Sequence, residues 1–157
     1  MPAALPVDPD PAAPPGAQHP RLQLHVVAAV AIGGALGAPA RYGVERLLPA
    51  APEAFPWATL LTNASGCLLL GVLLVLVHDR WPPTRYARPF LATGFLGAYT
   101  TFSSYALQVD LLVKDGHPST AAAYAASSLL TCLGLAWLGI AIGRRLAGPA
   151  GRRGIIR

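Results

Sequence analysis

The chain has 157 residues, of which 54% are hydrophobic and 12% charged, with a formal net charge of +5. Soluble domains carry about 25% charged residues, so a chain depleted by roughly half, with long charge-free stretches, falls outside that class. Its basic residues flank apolar segments instead of forming a stripe with interleaved aromatics, which argues against a nucleic-acid partner.

Residues 1–22 are rich in proline and alanine, have no hydrophobic period, and are predicted to be a disordered cytoplasmic tail. A basic start followed by an apolar core is missing, so the segment does not read as a cleavable signal. A membrane-spanning helix needs ~20 mostly apolar residues, and residues 23–146 offer four such spans in one integral domain. These run from about Leu24 to Tyr42, Pro56 to Val77, Arg88 to Val113 and Thr120 to Ile142. Breakers separate them: Pro49 and Pro52, then Pro82 and Pro83, then Gly116 and Pro118. Trp57 and Trp81 fall at span edges, where aromatic rings favour the membrane–water interface. Residues 147–157 form a basic cytoplasmic tail.

Nine lysines and arginines fall on the side of the two termini and the second loop, against Arg41, Arg46 and Lys114 opposite. That bias predicts a multi-pass protein of the cell membrane with both termini in the cytoplasm. Gly33-x-x-x-Gly37 and Gly139-x-x-x-Gly143 predict close helix packing. Cys67 and Cys132 lie within apolar segments and read as small core or lipid-facing residues, not as a disulfide framework.

Polar groups inside a span are costly and therefore informative. The third span reads TGFLGAYTTFSSYALQ from Thr93 to Gln108. Its glycines and hydroxyls fit a helix break whose freed carbonyls hold a cation, or an unbroken helix whose hydroxyls bond back to their own backbone. Asn63 is the one strong polar group of the second span, and fits either a ligand contact or a bond between helices. Tyr124, Ser128 and Thr131 share one face of the fourth. These donors are mostly neutral, and no carboxylate or lysine occupies mid-span. Neutral donors suit an anion that must pass without being trapped. Arg41 ends the first span, placed either to draw anions to a vestibule or to snorkel. The four histidines lack metal-ligand spacing, and no catalytic constellation or phosphate loop is apparent, so the chain does not read as an enzyme.

Three stretches together resemble the signature regions of the Fluc/CrcB fluoride channels: GGALGAPARYGVERL (Gly33 to Leu47), ATLLTNASGCLLLG (Ala58 to Gly71) and TGFLGAYTTFSSYALQ. The resemblance covers about Leu24 to Arg145, in order and spacing. It implies an all-α polytopic membrane protein of four transmembrane helices, the third broken, assembled as an antiparallel dimer. It implies passive export of cytoplasmic fluoride. By position, Asn63 and Phe102 would contact the ion, and the polar track would include Ser103, Ser104, Tyr124 and Ser128. Arg41 matches the family's first-helix arginine. Gly97 and Thr100 match the carbonyls that hold a structural sodium (Na+) at the dimer centre. Tyr105 departs from the pattern, standing where a second pore phenylalanine is common.

Two rival readings are a small multidrug-type four-helix exporter and a non-transporting membrane scaffold. The exporter is expected to carry an embedded glutamate in the first span, and none precedes Glu45. The lysine and arginine bias, with Tyr105, also raises an oppositely oriented homologue as the second subunit, in place of a second copy of this chain.

Overall fold

The computed structural model describes residues 20–51, 53–79 and 86–148. Most of the two expected tails and the loop bearing Trp81, Pro82 and Pro83 lie outside the described residues. Within them the chain is helical. Helix α1 (Pro20–Leu47) carries Pro39 inside it. A membrane helix tolerates this because neighbouring groups re-satisfy the freed carbonyl. Helix α2 (Trp57–Asp79) follows. A π-helical stretch, Pro89–Leu96, then runs into a single turn, α3 (Gly97–Tyr99). After a two-residue gap comes α4 (Phe102–Lys114), and then α5 (Pro118–Ala147).

Among the described residues three helices are long and apolar enough to cross a membrane unaided: Leu24–Leu47, Trp57–Val77 and Pro118–Ala147. The expected third crossing is instead two shorter pieces meeting at Thr100 and Thr101. The break read as one of two alternatives is therefore real. The turn between α4 and α5 depends on Gly116, whose φ of 85° is a region that side chains disfavour.

Burial is inverted relative to a water-soluble bundle. Large apolar side chains point outward, with Leu130 and Trp137 each about 70% exposed, while Thr59, Thr62, Thr101 and Ser128 are buried. Lipid offers no hydrophobic drive for helices to associate, so close packing between small residues takes over. Both glycine pairs act in this way. A side chain at Gly33 or Gly37 would overlap the backbone oxygens of Phe90 or Phe95, which ties α1 to the π-helical stretch. A side chain at Gly139 would overlap the Leu68 carbonyl, and one at Gly143 would press on Val75, which ties α5 to α2. The order of these contacts makes α2 and α5 parallel.

Candidate functional site

The break is built from its backbone outward. Thr100 (φ −84°, ψ 158°) and Thr101 (φ −149°, ψ 121°) are extended, so the helical hydrogen-bond ladder cannot cross them. Buried backbone groups need partners, and Asn63 on α2 supplies them. Its Nδ2 donates to the Thr101 carbonyl at 2.9 Å, and its Oδ1 accepts from the Thr101 N–H at 2.8 Å. The side-chain amide thus pairs with one residue much as a neighbouring strand would. Gly66, three residues further along α2, makes room, because any side chain there would overlap the Thr100 methyl group.

Thr101 also starts the next helix. Its Oγ1 accepts from the Ser104 N–H at 3.1 Å, an N-cap bond. The same oxygen lies 3.2 Å from the Ser103 hydroxyl and donates to the Ser104 hydroxyl at 3.1 Å. These two diversions free particular carbonyls. The Thr101 N–H would bond the Gly97 carbonyl in a continuous helix, and the Ser104 N–H would bond that of Thr100. Both donors are engaged elsewhere.

Around the break lies an open groove of about 410 Å³ between α2, α5 and the interrupted crossing. Of the residues singled out from sequence, Asn63, Phe102, Tyr105 and Ser128 line it, as do Gly97 and Thr100. Phe102 is 79% exposed, its ring free of neighbouring helices. The Ser128 hydroxyl is buried beside Tyr124 and has no well-formed hydrogen bond among the described residues. Tyr105 bridges the aromatic groups, its ring centre 5.7 Å from that of Phe102 and 5.5 Å from that of Tyr124. Its additional hydroxyl reaches the Ala125 carbonyl at 3.4 Å, so the group that departs from the family pattern is tethered to α5.

Other expected residues sit away from the groove lining. Ser103 and Ser104 belong to the capping cluster. Tyr124 is fully buried, donates to Gln108 Oε1 at 2.9 Å, and stacks edge-on against Phe55. Arg41 pairs with Glu45 at 3.9 Å on α1. Sequence reasoning missed Thr101 and Gln108 as positioning residues, although a threonine is a favoured N-cap for the helix that follows it. It also missed Cys67 and Cys132 as groove residues, which they are.

Residues 28–140 match the family described as CrcB-like protein, Camphor Resistance (CrcB). A Streptomyces avermitilis protein named fluoride-specific ion channel FluC 2 is 49% identical over 107 residues, which is 68% of this chain and 68% of that protein. FluC 3 of the same organism is 47% identical over 139 residues, 84% of this chain and 68% of that one. Fluoride-specific ion channel FluC 1 of Streptomyces coelicolor is 42% identical over 135 residues, or 86% and 88% of the two chains. The family match reaches into all four crossings and contains the break and the whole groove lining, and the chain belongs to the CrcB-like family.

Proposed function

We propose that this chain forms half of a fluoride-specific channel in the cell membrane, letting cytoplasmic fluoride leave passively and so lowering its toxicity. The observation that carries the reading is the convergence at the groove of neutral polar side chains, led by an Asn63 amide with one donor to spare. Asn63 commits one N–H and its carbonyl to Thr101, and its second N–H has no bond among the described residues. A primary amide has two such donors, so the free one suits a small anion. Phe102, whose ring edge is electropositive, lines the same groove, as does Ser128 beside Tyr124. Tyr105 lines the same wall, while Ser103, Ser104 and Tyr124 lie behind it, engaged in their own hydrogen bonds. None of these groups carries a full positive charge, so a bound anion is free to move on. At the mouth, Arg41 steers anions, its field moderated by Glu45.

The partner is a second subunit in the opposite orientation, whose placement against the exposed apolar faces closes the groove. It is a second copy of this chain or an oppositely oriented homologue. In the subunit that follows the lysine and arginine bias both termini lie in the cytoplasm, and in its oppositely oriented partner they lie on the other side.

The donor chemistry at the break also fits the family's structural sodium. Carbonyl oxygens suit a hard cation, and the Gly97 and Thr100 carbonyls have lost their helical donors. These two carbonyls would hold the ion, which would supply a fixed positive charge at the break. Gly97 is ordinary helix (φ −62°, ψ −32°), and a side chain there would meet only the Ala92 oxygen at 3.8 Å. Gly97→Val is therefore expected to leave the single chain folded while abolishing the dimer, as read by crosslinking in detergent. A stable Gly97→Val dimer would count against the carbonyl site.

Fluoride efflux from liposomes tests the main reading. The purified chain is expected to empty fluoride-loaded vesicles, with chloride retained. Phe102→Ile, at equal incorporation, is expected to slow efflux at least tenfold. If the chain conducts only when co-reconstituted with an oppositely oriented homologue, the partner is that homologue. Wild-type rates from Phe102→Ile would remove the ring from the pathway.

A further inference from the structure

The groove wall carries two nucleophilic side chains that the passage of fluoride does not use. Cys67 on α2 and Cys132 on α5, the only cysteines of the chain, both line the groove. Both are half-buried free thiols. Gly71 on α2 lies against Ala136 on α5, and one turn back along both parallel helices Cys67 falls level with Cys132 at the groove wall. Their spacing is set by backbone packing, because Gly71 and Gly139, one to two turns along the same seam, bring the helices together until neither tolerates a side chain.

A pair of thiols level with each other on two parallel helices is a potential chelate. Soft thiolate ligands select soft cations. Among the described residues no group of three or more histidine, cysteine, aspartate or glutamate side chains comes together. Zinc, which takes four ligands at structural sites, therefore lacks half of its set here. A cation content with two sulfurs does not. We propose that Cys67 and Cys132 form a two-thiolate site, opening on the groove, for a soft divalent cation of the mercury(II) class.

The step balances without an oxidant. Two S–H bonds break, two sulfur–metal bonds form, and two protons leave through the groove to water. Two thiolates and one divalent ion make a neutral complex, which is the form that an apolar wall tolerates, since buried uncompensated charge is strongly disfavoured. The consequence for flux rests on the groove being the fluoride path: a metal bridged across its wall would obstruct it.

The probe is mercuric nitrate, added to the full chain in liposomes. Intact mass is expected to show one mercury and the loss of two protons on a single chain. At one mercury per chain both thiols are expected to stop reacting with maleimide. The proposal is overturned if one thiol stays reactive until a second mercury is added, or if the metal links two chains. In the flux arm, mercury is expected to cut wild-type fluoride efflux at least tenfold, and excess dithiol to restore it. The Cys67→Ala, Cys132→Ala double variant, compared with and without mercury, is expected to show no such inhibition. An intact mercury bridge with undiminished efflux would uphold the site and overturn the groove as the path instead.

Discussion

Asn63→Leu is expected to lose fluoride conduction and to unfold more readily by about 2–6 kcal/mol. Leucine nearly matches asparagine in size, so the effect does not come from a void. It comes from the Thr101 N–H and carbonyl, both held at 2.8–2.9 Å by the amide. Leaving a buried donor or acceptor without a partner costs about 1–3 kcal/mol per group, and inside a membrane no water replaces it. Asn63→Asp should separate structure from conduction. A carboxylate still accepts from the Thr101 N–H but repels the Thr101 carbonyl, and it places negative charge where an anion must pass. Its efflux should be as low as that of the leucine variant, with a smaller loss of stability. Unfolding by SDS titration alongside liposome efflux reads both quantities. A leucine variant as stable as wild type would show that the break does not depend on this clamp.

Gly139→Leu should be the most damaging substitution on α5. A side chain at that position would overlap the Leu68 carbonyl, which is backbone and cannot turn aside. The two helices would have to separate, and forced overpacking costs about 1–3 kcal/mol, occasionally more. Loss of folded protein in detergent is the expected result. Gly134→Leu is the matched control, because a side chain there meets nothing within 4 Å. Should both variants fold alike, the α2–α5 seam is looser than its geometry implies.

The spans and the glycine pairs were legible in the sequence because each is a local pattern. An apolar run or a four-residue spacing carries its own physical meaning. The break was only half legible. Thr100, Thr101, Ser103 and Ser104 announced polar groups at membrane depth, but the same hydroxyls suit an intact helix. What decides between the two is a bond to Asn63 from 38 residues away, and no local pattern holds that pairing. The cysteines show the opposite failure. Their apolar surroundings were read correctly, yet their facing one another depends on the register of α5 against α2. Phe102, Asn63 and Ser128 were grouped on one path by the family resemblance and not by any local pattern, and the fold lines all three along one groove.

The interruption at Thr100 and Thr101 has an electrical side. An aligned helix behaves as though it carried roughly half a positive charge at its N-terminus and half a negative charge at its C-terminus. An unbroken crossing would present both poles to the headgroups, where water and salt screen them. Cutting the crossing draws two poles inward. The positive end of α4 comes to rest at Phe102, and the negative end of the Pro89–Tyr99 stretch at Thr100. In the weakly screening interior their reach is longer. One cut thus sets a pole attractive to an anion and, a residue or two away, another attractive to a cation. It does so without a single ionised side chain, so neither pole can be titrated away by a change in pH.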